Sequence, residues 1–188
     1  MLGMVSGSVK IPLSDLFLQE NRAIISLRFL RIFTAVIAGA GLAVSGIVLQ
    51  AILRNSLAEP YLLGTSSGAG LGAAVSIMMG VSAVFLPAAA FCGAILSIIL
   101  VYNLARQNGK IAEQSLILSG VIVSVAFSAI IVFLLSVSSK EMLHSFSWWL
   151  WGSLQVFDLK LLSWVSLIVS AGILAIYLFS QDLNAISL

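Results

Sequence analysis

Pro60–Ala105 reads PYLLGTSSGAGLGAAVSIMMGVSAVFLPAAAFCGAILSIILVYNLA, 46 consecutive residues without a charged side chain. Wound as one helix it would be about 69 Å long, more than twice the roughly 30 Å hydrocarbon core of a bilayer. It must therefore fold back on itself. The turn signals lie between Gly80 and Pro87, which predicts one helix over about 62–79 and a second over about 82–105, with Pro87 in the second helix's first turns.

The flanking sequence repeats the pattern. Between Arg31 and Arg54 lie 22 uncharged residues, Gln114–Ser139 is a run of 26, and Leu161–Gln181 one of 21. About 20 helical residues cross the core, so further spans are predicted over about 32–53, 114–136 and 161–180. Residues 142–152 are too short and too polar to be another crossing. Phe146, Trp148, Trp149 and Trp151 crowd there beside Lys140, Glu141 and His144, the composition of a helix lying at headgroup level. Residues 1–31 carry Lys10, Asp15, Glu20, Arg22, Arg28 and Arg31 and read as a water-facing, extracytoplasmic lead-in. No apolar stretch follows a basic start, so a cleavable signal peptide is not expected. The predicted fold is all-α: a polytopic transmembrane bundle of about five spanning helices plus a short interfacial helix, in one domain over 1–188.

Composition supports the same class. Of 188 residues, 61% are apolar and 9% charged, against about 25% charged in a soluble domain. The mean hydropathy is +1.16. A formal charge of +2 scattered over the chain gives no clustered basic face, so nucleic acid is not expected as a partner. The single cysteine, Cys92, supports neither a disulfide framework nor a cysteine metal site.

Eight of the fifteen glycines fall between Gly39 and Gly80. Gly64, Gly68 and Gly72 recur every fourth residue and so share one helical face without side chains, where another backbone can approach closely. Gly39 with Ala35 and Ala43 makes a similar stripe. Packing within the chain and a dimer seam are both compatible with such stripes.

The polar residues assemble no catalytic set, so an enzyme is not expected. His144 has no carboxylate or cysteine at metal-ligand spacing, and neither metal nor cofactor is predicted. A phosphate loop of the G-x-x-x-x-G-K-[ST] type is missing from the sequence, so energy from ATP would come from another chain. The predicted spans carry no mid-helix Asp, Glu, Lys or Arg, which weighs against a proton-coupled transporter. Two polar places stand out. One is the compact loop Arg54-Asn55-Ser56-Leu57-Ala58-Glu59-Pro60 between two spans. The other is Arg28 with Arg31, three residues apart and so on one helical face. Lipid phosphates and an acidic patch on a partner protein are both compatible with that pair.

These places also carry a resemblance. Val44-Ser45-Gly46-Ile47-Val48-Leu49-Gln50, followed by Arg54 to Pro60 and then Tyr61-Leu62-Leu63-Gly64-Thr65-Ser66-Ser67-Gly68-Ala69, resembles the signature of the FecCD-type permeases of ABC importers. Leu116-Ile117-Leu118-Ser119-Gly120, Trp149-Leu150-Trp151-Gly152-Ser153-Leu154 and Leu183-Asn184-Ala185-Ile186-Ser187-Leu188 continue it. Ser56 departs from the family's proline in N-P-L-A-[DE]-P, and Phe29-Leu30 from the L-P of its R-L-P-R. Each change gives up a fixed φ.

The resemblance implies a permease subunit in a prokaryotic cell membrane that moves ferric siderophore, haem or cobalamin. Its implied partners are a second permease copy, two ATPase subunits and an extracytoplasmic binding protein. Family members have about ten helices, so the chain is expected to match the part from the end of their first helix to the loop after their sixth. By the same resemblance, Arg28 and Arg31 would dock the binding protein. Asn55, Leu57, Glu59 and Pro60 would form the cytosolic mouth, and Ser119, Gly120, Ser124, Trp149 and Gly152 would line the path. Packing and loop capping are the plainer roles for each of these. The implied orientation puts six basic residues (Lys10, Arg22, Arg28, Arg31, Lys140, Lys160) outside and three (Arg54, Arg106, Lys110) inside. The positive-inside rule alone would choose the reverse. From the residues themselves, a channel, a secondary transporter and a membrane scaffold remain open.

Overall fold

The computed structural model describes residues 19–107, 109–154, 159–181 and 183. Its α-helices are α1 Arg22–Ile52, α2 Thr65–Met78, α3 Leu86–Ala105, α4 Glu113–Ser136, α5 Lys140–Trp151 and α6 Leu159–Leu178. Single 3₁₀ turns, Gln19–Asn21 and Ala83–Phe85, lead into α1 and α3. The fold is an all-α bundle, and four segments are long and apolar enough to cross a membrane: Arg22–Ile52, Ala83–Ala105, Glu113–Ser136 and Leu159–Leu178.

The helix ends follow local chemistry. Gly80 takes a left-handed φ of 66° after α2, and Pro87 falls in the first turn of α3, where its missing N–H costs nothing. Ser139 caps α5, its hydroxyl oxygen accepting the Met142 N–H at 3.4 Å. Gly152 closes α5 at φ 70°.

Two boundaries differ from the sequence reading. α1 begins at Arg22, so the lead-in expected over 1–31 is helical in its last third, with Arg22, Arg28 and Arg31 on the opening turns of a 31-residue helix. Residues 1–18 of the lead-in, including Lys10 and Asp15, lie outside the described residues. The crossing expected over 62–79 contains a helix of 14 residues, about 21 Å, because the chain up to Gly64 is taken up by turns. The polar stretch after α3 holds a hairpin, Arg106–Gln107 paired antiparallel with Lys110–Ile111. Asn108-Gly109 is the dipeptide that two-residue hairpin loops favour, and Gly109 takes φ 79°.

The chain divides into two compact units. One takes the first part of α1, up to Ser45, together with α6. An apolar groove of about 500 Å³ runs between them, lined by Ile37, Gly41, Ser45, Val169, Gly172 and Ile176. α1 and α6 have no buried residue.

The other unit spans Gly46–Gly152. It has two small cores, Ala73, Ala74, Ala90 and Phe146 in one, Val101, Val123 and Phe127 in the other. The small residues matter more than the large ones. A Cβ on Gly68 would stand 2.5 Å from the Gly93 carbonyl oxygen, and one on Gly72 would overlap the Ala89 carbonyl. α2 and α3 therefore meet backbone to backbone, the approach that small residues permit in lipid.

Candidate functional site

The irregular segment between α1 and α2 is the most constrained polar structure in the Gly46–Gly152 unit. α1 ends in a bend at Arg54, which takes φ 44°, the only positive φ among described non-glycine residues. Such a backbone is unfavourable for a residue with a Cβ. The Asn55 N–H returns to the Gln50 carbonyl at 3.2 Å. Asn55 Oδ1 accepts the Leu57 N–H at 2.9 Å, and the Asn55 carbonyl accepts the Ala58 N–H at 3.0 Å. From α1, the Gln50 amide donates to the Ala58 carbonyl at 3.3 Å.

Asparagine folds this turn because its side chain stands in for a backbone carbonyl. The result buries Leu53 and Ala58 and leaves Leu57 85% exposed, the reverse of what apolar burial favours. Glu59 is exposed and Pro60 half-buried.

The next four residues form a second turn sunk between helices. Non-helical backbone at membrane depth must be satisfied within the protein. Here the hydroxyls do it: Thr65 Oγ1 donates to the Pro60 carbonyl at 3.0 Å, Ser97 Oγ to Leu63 at 3.0 Å, and Ser67 Oγ to Gly64 at 2.9 Å. Gly64 itself takes φ 72°, and a Cβ there would stand 2.7 Å from Ser97 Oγ and 3.2 Å from Ser124 Oγ. A Cβ on Gly120 would overlap the Leu62 carbonyl. The turn thus sits on α3 through Ser97 and on α4 through Gly120 and Ser124.

Ser119 and Gly120 are buried and Ser124 is half-buried. The exposed face of α4 carries Leu118, Val121, Ile122 and Val125 instead. On α5, Trp149 is half-buried and stacks on Phe146 with ring centroids 5.9 Å apart. Nothing lies within 4 Å of a Cβ placed on Gly152 or Gly39. In the other unit Arg28 is half-buried and Arg31 exposed.

Two side-chain pairs complete the geometry. Arg54 Nε lies 3.8 Å from Glu113 Oε1 at the start of α4. His144 Nε2 accepts the Trp148 indole N–H at 2.7 Å. No group of three His, Cys, Asp or Glu side chains among the described residues is placed to hold a metal ion. The Leu183–Leu188 segment of the sequence signature lies outside the described residues, apart from Leu183, which is half-buried.

Gly93, Ala89, Ser97 and Glu113 belong to this arrangement but were not singled out by sequence. Gly93 and Ala89 do lie four apart, the same spacing as Gly68 and Gly72, and that was the available signal.

Compared with known proteins, the family model described as "FecCD transport family" matches residues 1–188. A cobalamin import system permease protein of Halobacterium salinarum is 38% identical over 130 residues, 69% of this chain and 35% of the relative. A probable iron chelatin transport system permease protein of Helicobacter pylori is 36% identical over 167 residues, 88% of this chain and 50% of the relative. Among solved structures, an ABC transporter assigned to the metal-chelate type, in an inward-facing conformation, superposes with a TM-score of 0.82 at 31% identity. That match covers 100% of this chain and 58% of the other. The chain thus spans about half the length of the relatives it matches.

Proposed function

The chain belongs to the FecCD transport family, and on that premise we propose that it is part of the permease subunit of an ABC importer for a metal chelate: ferric siderophore, haem or cobalamin. The observation that carries the reading is the likeness of the whole chain, helices and turns together, to a transporter of the metal-chelate type.

In this reading two permease copies enclose the path. Two separate ATPase subunits on the cytosolic side supply the energy, and an extracytoplasmic binding protein delivers the substrate, docking on Arg28 and Arg31. The Asn55–Pro60 turn forms the cytosolic mouth, with Leu57 at its edge. α4 lines the path with its exposed apolar face, while Gly120 and Ser124 on the opposite side seat the Leu62–Gly64 turn and Ser119 is buried. Trp149 and Gly152 border the path at the α5 end. Weakly polar walls suit the task, because a bulky chelate must pass without being held. The differential binding energy that moves the protein between states resides in the ATPases.

The test is uptake by proteoliposomes containing the full-length permease with its cognate ATPase. Uptake of a labelled ferric siderophore or cobalamin is expected to require ATP inside the ATPase-accessible compartment and the binding protein on the other side. Uptake driven by a proton gradient without the ATPase would overturn the proposal in favour of a secondary transporter.

A further inference from the structure

We propose that Glu113 is a positioning residue for the Asn55–Pro60 turn, acting through Arg54. The inference rests on the reading of that turn as the cytosolic mouth of the path, and it assigns what sets the turn's position.

The hydrogen bonds made by the turn run to α1 through Gln50, to Leu62 of the following turn, to α2 through Thr65, or stay within it. The Arg54–Glu113 contact instead reaches α4, the helix whose exposed face is assigned to the path. Both side chains are partly solvated, at 55% and 42% relative exposure. An exposed ion pair of this kind contributes little to stability, which makes it a poor staple and a suitable reversible tie. Its placement is nonetheless specific. Glu113 is the first residue of α4, where a carboxylate also meets the positive end of the helix dipole. Arg54 is held at φ 44°, so its guanidinium leaves the α1 end in a direction that an ordinary helical backbone would not give. The next residues form the turn that throws Leu57 into solvent. A shift of α4 relative to the end of α1 therefore either drags the turn or parts the pair.

The experiment uses a spin label on Ser56→Cys, an exposed turn position, in the full-length permease with its other cysteines replaced. Glu113→Gln is expected to raise the mobile fraction of the label about 1.4- to fivefold, the range an exposed ion pair supplies. Arg54→Asn should do the same, because asparagine tolerates φ 44°, keeps a Cβ and carries no charge. Arg54→Lys should stay near the parent. At 1 M salt, where the screening length falls to about 3 Å, the parent should approach the Glu113→Gln value, a response that a purely structural role would not give. Parent-like mobility in Arg54→Asn, or in a folded Glu113→Gln at low salt, overturns the proposal. The label needs neither substrate nor ATP, so a failed uptake assay counts against the path reading alone, and an unchanged label counts against Glu113 alone.

Discussion

Gly68 on α2 and Gly93 on α3 face each other so closely that a Cβ built on either would run into the carbonyl oxygen of the other. The contact is reciprocal, and the antiparallel helices have no side chain with which to give way. Gly68→Leu is therefore expected to lower stability by about 1–3 kcal/mol, the usual cost of overpacking. Gly39→Leu, where nothing lies within 4 Å, should change little. Thermal unfolding of the detergent-solubilised full-length protein, followed by size exclusion, distinguishes them. Equal midpoints for both variants would remove the close-packing argument.

Ser97 is fully buried and its hydroxyl donates to the Leu63 carbonyl at 3.0 Å. Ser97→Ala leaves that carbonyl unsatisfied, at an expected cost of about 1–3 kcal/mol. Ser76 is the contrasting case, 4% exposed with no hydrogen-bond partner for its hydroxyl. Ser76→Ala should be neutral or stabilising in the same unfolding assay. A Ser97→Ala protein as stable as Ser76→Ala would mean that the turn backbone finds another donor.

Charge-free runs located the helices because lipid imposes a length and excludes charge, and α3, α4 and α6 end within a few residues of the predicted limits. Gly80 and Pro87 mark ends that local chemistry alone decides, whereas the Ser139 cap, which starts α5 at Lys140 and not at 142, is found only in the structure. Pairing between elements was less legible. α3 is apolar on every side, so no periodicity tells which face meets α2, and the Gly93 stripe acquires meaning only once Gly68 lies against it. The Arg54–Glu113 contact joins residues 59 positions apart in sequence, and neither residue's neighbours hint at the other. The shortening of α2 was hidden for a related reason. Tyr61–Gly64 is as apolar as a helix, and the turn becomes tolerable there because the Ser97 and Ser67 hydroxyls bond the Leu63 and Gly64 carbonyls, the Gly64 N–H bonds the Tyr61 carbonyl, and Thr65 bonds the preceding Pro60 carbonyl.

At the start of α5, bonding to the Ser139 side chain, and secondarily to its own backbone N–H, holds the Glu141 carboxyl below its ordinary value. A depressed carboxyl contributes its support to the folded state at pH above the ordinary carboxylate range, and the support is lost as pH falls through the lowered value. Acidification from neutral pH is thus expected to fray the first turn of α5. Ser139→Ala should shift the Glu141 carboxyl titration, followed by carbon NMR, upward and blunt the acid response. An unchanged titration would show that the backbone contact alone suffices.

Arg28 and Arg31 stand three residues apart near the start of α1, so their guanidinium groups share one side of the helix. Two readings of that pair differ in what they predict. An acidic patch on a binding protein would be steered by the pair, and reversing both charges in Arg28→Glu/Arg31→Glu should slow association of the binding protein about tenfold or more at low salt. Stimulation of ATP hydrolysis by the binding protein should fall in parallel. Lipid phosphates would instead make the same variant sensitive to the bilayer: its stability should drop in anionic membranes and recover in neutral ones, with binding-protein association intact. Surface plasmon resonance on the nanodisc-embedded full-length permease, run at low salt and again at physiological salt where the screening length is about 8 Å, separates the two. A parent-like association rate at both salt concentrations would end the docking assignment and leave these arginines to the membrane surface.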